Sequence, residues 1–278
     1  MIFLLLAILS SALVSIVMRV SADKVRHNLG MLAANYATCL VLSLLYTGAD
    51  GVLPAVPALL QTLLLGGLNG FLFLASFIIF QYNVQKNGVV LSAVFMKLGL
   101  LVPLALSALC FSEMPTLLQG IGFALAIAAI LLINLGPTEG TRGGGIYLVL
   151  LLLLGGSADA MSKVFEEVGD SALGDSFLLY TFAAALLLCI GCLVYKRQRI
   201  GKAELLYGVL IGIPNFFSAK FLLAALGNVA AVIAYPTYSV ATILVVSLAG
   251  VCFFGERLRV RQWAAVGVIL VSLALLNL

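Results

Sequence analysis

The sequence predicts an all-α polytopic membrane protein of ten transmembrane helices, arranged as two inverted five-helix repeats. Three observations predict it. The first is composition: of 278 residues, 63% are hydrophobic and only 9% charged, against roughly 25% charged in a soluble domain. Mean hydropathy is +1.21, and so few charged side chains cannot coat a water-soluble core of this length. The second is segmentation: Gly, Pro, Asn and charged residues divide the chain into ten apolar runs, each near the roughly 20 residues that cross a bilayer. The third is that basic residues collect in alternate loops. A β-barrel is excluded because the apolar residues run unbroken instead of alternating.

The runs come in order. Helix 1 covers 2–20; with no basic stretch before it, it reads as a permanent helix and not as a signal peptide. Helix 2 covers 29–48, after a loop holding Lys24 and Arg26. Helix 3 covers 57–81 and contains "GGLNGF". Helix 4 covers 88–111 and carries Lys97 and Pro103. Helix 5 covers 116–135, after "SEMPT". A Gly-rich stretch then separates the first repeat, 1–137, from the second, 144–278. In the second repeat, helices 6 to 10 cover 145–165, 174–195, 204–226, 229–254 and 260–278.

Odd-numbered loops, with the Arg19 helix end, hold Arg19, Lys24, Arg26, Lys86, Arg142, Lys196, Arg197, Arg199, Lys202, Arg257, Arg259 and Arg261. Even loops hold no basic residue beyond Lys163 at the end of helix 6. By the positive-inside rule the odd loops lie in the cytoplasm and both termini outside, in a multi-pass protein of the cell membrane. Spread through short loops, these charges report topology and not a nucleic-acid surface. The basic run "YKRQRIGK" adds attraction to anionic membrane lipids.

The halves repeat. Glu113 in "FSEMPTLLQG" matches Glu256 in "FGERLRVRQW", and Gln119 matches Gln262 at the same offset of 143. Arg19 and Lys163 match at 144, as do Tyr36 and Tyr180, and Asn69 matches Asn215 at 146. Five is an odd number of spans, so the second copy enters the membrane upside down. The charges agree: loop one is basic, while its copy, loop six, carries Glu166, Glu167, Asp170 and Asp175.

A helix ending in "FSEM" or "FGERL", then a Gln and a Gly-rich apolar helix, in both halves of a ten-helix chain, resembles the drug/metabolite transporter superfamily, EamA type. The resemblance implies a transporter of small organic metabolites, often outward. It also implies a midplane cavity lined mainly by helices 1, 3, 4, 6, 8 and 9, with helices 5 and 10 outside the core and contacting partners.

Charge inside a membrane helix is expensive and calls for an explanation. Lys97 lies nine residues into helix 4, roughly 13 Å deep; it is a cavity cation, half of a buried ion pair, or a side chain snorkelling to an interface. Its repeat partner is Val240. Lys220 and Asp159 reach similar depths in helices 8 and 6, and they pair as an outer gate or as a structural bridge. Asp159 and Lys163 form a competing pair at i, i+4. Arg19 and Lys163 are interface anchors or symmetric gate charges. Asn69 and Asn215, loosened by Gly66, Gly67, Gly70 and Pro214, are substrate contacts or interhelical glue. Tyr235, Tyr238 and Phe95 form an aromatic wall for a planar solute, or ordinary packing. Glu113 and Glu256 cap the helices that follow them or take part in proton coupling.

The expected function is secondary transport of a small metabolite, anionic or amino-acid-like, by alternating access and outward. Proton coupling is one way to drive it. Monomer and homodimer both remain open. A flippase for a lipid-linked intermediate is the alternative, and a non-transporting assembly protein a weaker one. An enzyme is not expected. His27 is a loop residue, and the five cysteines, Cys189 and Cys192 in a CxxC included, read as small apolar packing. GxxxxGK[ST] is absent, so nucleotide drive is not expected, and with one loop His and no second CxxC neither a metal nor another cofactor is expected.

Overall fold

In the computed structural model of the chain, residues 1–21, 24–87, 92, 95, 96, 98–134, 145–198, 200–254 and 260–277 are described. Among these there are ten α-helices and no strand. They are α1 (Ile2–Ser21), α2 (Asn28–Val52), α3 (Leu59–Asn87), α4 (Leu101–Cys110), α5 (Leu117–Asn134), α6 (Gly145–Val168), α7 (Gly174–Tyr195), α8 (Lys202–Leu226), α9 (Ala231–Phe254) and α10 (Val260–Leu276). A short 3-10 turn, Ser171–Leu173, leads into α7. Seven helices are long and apolar enough to cross a membrane: α1, α2, α3, α6, α7, α8 and α9. α4, α5 and α10 contribute shorter apolar stretches among the described residues. Large apolar side chains such as Leu45, Leu187 and Val194 are exposed. That is the surface a lipid-facing helix presents, since acyl chains are as apolar as Leu.

Helix ends follow local chemistry. Thr116 and Gln119 form a reciprocal capping box ahead of α5: Gln119 N–H donates to Thr116 Oγ1 at 3.3 Å, and Thr116 N–H to Gln119 Oε1 at 3.1 Å. At the end of α7, Arg197 takes a left-handed φ of 51°. The N–H groups of Arg197 and Gln198 turn back to the carbonyls of Val194 and Leu193, the usual way of satisfying the last carbonyls of a helix. Inside α2 the helix breaks at Gly48 (φ 68°, ψ 174°), a conformation that glycine adopts without a steric penalty.

The chain forms two compact units, and each draws on both halves of the sequence: Met1–Leu74 with Val164–Ala225, and Ala75–Lys163 with Leu226–Leu278. α3 and α6 each contribute to both. In the first unit α2 packs antiparallel to α7, with Cys189 Sγ 3.5 Å from the Leu29 carbonyl and Tyr180 OH donating to the Val52 carbonyl at 2.7 Å. α8 runs parallel to α2, so Gly208 lies on Ala34 and Gly212 on Thr38. α3 runs parallel to α7, so Gly66 lies on Tyr180 and Gly70 on Ala184. α1 packs on α8 through Ser218, whose hydroxyl donates to the Ala7 carbonyl at 3.3 Å, and through Phe3 on Phe221.

In the second unit, Leu100, Leu104, Ile130 and Val232 form one apolar cluster and Ala126, Ala129, Val240 and Ile269 another. α5 and α10 pack tightly: a Cβ on Gly122 would meet Leu275 and Leu276 at 3.0–3.1 Å, and Ser272 donates to the Gly122 carbonyl at 2.8 Å. Helices 5 and 10 thus find much of their packing in each other. Their small residues Ala126, Ala129 and Ser272 are fully buried, because a helix pair held by backbone approach makes part of its unit's core. Leu117, Leu270 and Val271 are exposed on the same helices.

Candidate functional site

The first unit holds an amide seam. Asn215 sits on α8 one turn beyond Gly212, and the lack of a Cβ on Gly208 and Gly212 lets α8 approach the α2 backbone. Asn215 Nδ2 donates to Asn35 Oδ1 at 3.2 Å and lies 3.7 Å from Cys39 Sγ. The Cys39 thiol in turn donates to the Gly212 carbonyl at 3.3 Å. Pro214 lies inside α8 and supplies no N–H of its own, which weakens the ladder at this level. Asn69 occupies the corresponding place on α3. Its Nδ2 reaches Thr181 Oγ1 at 3.5 Å, and its Oδ1 is buried without a partner.

Beyond Asn215 the same helix carries aromatic rings and a cation. Phe216 and Phe217 stand 5.5 and 6.0 Å from the Tyr46 ring, Phe217 stacks on Phe221 at 5.6 Å, and Phe216 lies 6.3 Å from Phe182. Lys220 Nζ lies 4.1 Å over the Tyr46 ring and is bonded to Asp175 Oδ1 at 2.5 Å. The expected pairing of Lys220 with Asp159 is thus corrected. Lys220 takes Asp175, which α7 supplies from its first turn, where a carboxylate also suits the helix dipole. The ammonium sits between a carboxylate and an electron-rich ring face, two favourable contacts for a cation in an apolar helix. Near the break at Gly48, Ser176 and Tyr180 of α7 donate to the carbonyls of Gly51 and Val52 at 2.8 and 2.7 Å.

The second unit buries a charge pair. Lys163 is 2% exposed, and its Nζ is 2.9 Å from Glu113 Oε1. Glu113 Oε2 accepts the N–H of Ala231 at 2.8 Å. The reading of Glu113 as the cap of the following helix is therefore corrected. It serves the N-terminus of α9 and the ammonium of Lys163, while Thr116 and Gln119 take over α5. The left-handed φ of 57° at Ser112 makes this reach feasible by turning the chain just before Glu113. Tyr235 is buried, and its hydroxyl donates to the Asp159 carbonyl at 2.8 Å, tying α9 to α6. The Asp159 side chain is exposed, Tyr238 and Phe95 are half-buried, and Arg19 is exposed in the last turn of α1. Arg19 and Lys163, matched in sequence, therefore stand in different settings. Lys97 and Glu256 lie outside the described residues.

Several of these groups were not among the residues expected from the sequence. Glu204, 5% exposed in the first turn of α8, accepts the N–H groups of Arg26 and His27 at 3.0 and 3.3 Å. It fixes the entry into α2 much as Glu113 fixes the entry into α9. No sequence signal marks that partner, which is 178 residues away. Asn35, Cys39, Ser43 and Thr47 recur every four residues on α2. That spacing was legible as a polar stripe on an otherwise apolar helix.

Residues 143–278 match the model of the EamA-like transporter family. An uncharacterized protein of Haemophilus influenzae is 24% identical over 203 residues, which cover 71% of this chain and 69% of its own length. One solved crystal structure, 12% identical, superposes on 99% of this chain and 96% of its own with a TM-score of 0.80. At that identity the likeness is one of fold.

Proposed function

We propose, from the match of residues 143–278 to the EamA-like transporter family of the drug/metabolite transporter superfamily, that the chain is a secondary transporter of a small organic solute, anionic or amino-acid-like, working by alternating access. The family match is the observation that carries the transporter reading. Its members are multi-pass membrane transporters and not enzymes, and the seven long apolar helices agree. The charge class of the solute rests on Lys220 and, from the sequence alone, on Lys97. A carboxylate or phosphate competes with Asp175 for the Lys220 ammonium, and an amine on the same solute competes for Asp175. Ten spans in two inverted repeats are supported by the parallel packing of α2 on α8 and of α3 on α7. Helices separated by an odd number of crossings run the same way. The basic odd loops support cytoplasmic placement of those loops and termini outside. Export is the direction the family resemblance implies, and proton drive is the simplest coupling for a chain lacking a nucleotide-binding loop.

Proteoliposomes tested with a panel of labelled organic acids, phosphorylated metabolites and amino acids, with and without a pH gradient, check this. We expect saturable flux of at least one charged solute, accelerated by the gradient. Lys220→Met and Lys97→Ala should each abolish flux at unchanged expression. Wild-type flux in both variants would remove the two lysines from the path, and no flux for any solute would defeat the transporter reading.

A further inference from the structure

The polar stripe of α2 runs Asn35, Cys39, Ser43, Thr47, a length of about 18 Å along the helix. Its first half is satisfied: Asn35 and Cys39 engage Asn215 and the Gly212 carbonyl. Its second half is not. Ser43 Oγ and Thr47 Oγ1 are buried and have no hydrogen-bond partner. A helical hydroxyl has an easy remedy, which is to bond the carbonyl one turn back. Ser15, Thr38, Thr62, Thr181 and Thr242 all do so, at 2.7–3.1 Å. Ser43 and Thr47 point elsewhere. Leaving a buried hydroxyl unmet costs about 1–3 kcal/mol, and two sit one turn apart on one face. Next to Thr47 the helix breaks at Gly48, an exposed residue around whose ideal Cβ no atom lies within 4 Å, so the stripe ends at the surface. Unmet buried polar groups that lead to a helix break at the surface are conditions under which water enters a helix packing seam and stays ordered there.

We propose that Ser43 and Thr47 bind internal water, so that α2 carries a hydrated seam from the Asn35–Cys39–Asn215 cluster to the break at Gly48. Such a seam carries water, and with it protons, along a path that needs no titratable side chain between its ends. It does not depend on the solute or on the transporter reading.

The native protein contains its own reporters. Cys39 and Cys189 are both fully buried, at 0% exposure. Cys39 lies on the stripe one turn from Ser43, whereas Cys189 lies on α7 against the Leu29 carbonyl. In X-ray hydroxyl-radical footprinting of the full chain in lipid nanodiscs, radicals form from whatever water is bound in place. We expect Cys39 to be modified faster than Cys189 by about five-fold or more, because bound water adjoins only the former. The double variant Ser43→Ala with Thr47→Val should bring Cys39 down to the rate of Cys189. Equal rates for the two thiols in the wild type would overturn the proposal, and this needs no variant to fold. A Cys39 rate unmoved by the double variant would overturn it as well.

Discussion

Two seams in the first unit are built on the same four-residue frame and end differently. On α3, Gly66 is followed by Asn69 and then Gly70; on α8, Gly212 is followed by Asn215 and then Phe216. Both frames press on a partner backbone. A Cβ on Gly66 would meet the Phe177 carbonyl at 2.9 Å, and one on Gly212 would meet the Asn35 carbonyl at 2.8 Å. Where α7 presents Phe177, α2 presents Asn35, and this decides the amides. Asn215 finds an amide oxygen and a thiol, while Asn69 finds one long bond and keeps a buried orphan oxygen. The next residue separates them further. Gly70 keeps α3 closed on Thr181, Ala184 and Ala185. Phe216 instead opens the α8 seam into the ring cluster that leads to Lys220. One frame thus makes a tight packing joint and the other a chemically furnished one.

The largest expected effect comes from exchanging the residue that separates them. Gly70→Phe would drive a ring into the backbone of α7, where even a Cβ meets Ala184 Cβ and Ala185 N at 2.8 Å. Overpacking of this kind costs about 3 kcal/mol or more, and we expect little folded protein by size-exclusion chromatography in detergent. Phe216→Ala leaves a void among Tyr46, Phe182 and Phe217, worth about 3–5 kcal/mol. It should fold with a lowered Tm and lose flux, because the ring cluster supports Tyr46 beneath Lys220. Survival of Gly70→Phe with an unchanged Tm would mean that the α3 seam is not tight.

The buried charge pair of the second unit sets a scale for both seams. Glu113→Ala takes its carboxylate from the Lys163 ammonium and from the N-terminus of α9, at about 3 kcal/mol. Adding Lys163→Met should restore most of that, since replacing a buried pair by apolar groups is often neutral. Thermal unfolding of the single and double variants separates the two outcomes. A double variant no more stable than Glu113→Ala would show that Glu113 acts through Ala231 alone.

How far the sequence reads on its own follows from these particulars. Helix 7 was legible to the residue, because Gly174 and the basic run after Tyr195 punctuate it sharply. Helices 1, 8 and 9 were legible within two residues, whereas helix 3 runs six residues past its expected end. Asn69 and Asn215 were legible as a pair, because amides stand out in apolar text. Their partners were not. Matching Tyr36 with Tyr180 uses an offset of 144, while the contacts set Phe177 against Asn35 and Thr181 against Cys39, at 142. A shift of two residues turns a helix face by roughly 200°, enough to hide who meets whom. Lys220 with Asp175 and Glu113 with Ala231 were hidden for a related reason: capping and ion pairing depend on where a distant helix begins, which periodicity does not encode. The division into compact units that mix both halves is likewise a property of packing and not of sequence order.

The mildest changes sharpen the comparison most. Asn35→Leu removes the amide oxygen that Asn215 uses and so gives α8 the poverty of α3. We expect a loss of about 0.6–1.7 kcal/mol, the usual range for an interhelical polar contact in a membrane protein. Asn69→Ala should cost much less. Its one bond to Thr181 is 3.5 Å long, at the outer edge of hydrogen bonding. Deleting the side chain also removes an unmet buried oxygen whose desolvation already opposes folding. The two terms nearly cancel, so the Tm should move little in either direction, and pairing Asn69→Ala with Thr181→Val should give a coupling within about 0.5 kcal/mol of zero. Asn215→Ala paired with Asn35→Leu should give a clearly larger coupling in the same assay. Equal couplings at the two seams would mean that Asn69 Oδ1 has found a partner, such as a bound water, and that the seams differ in shape alone.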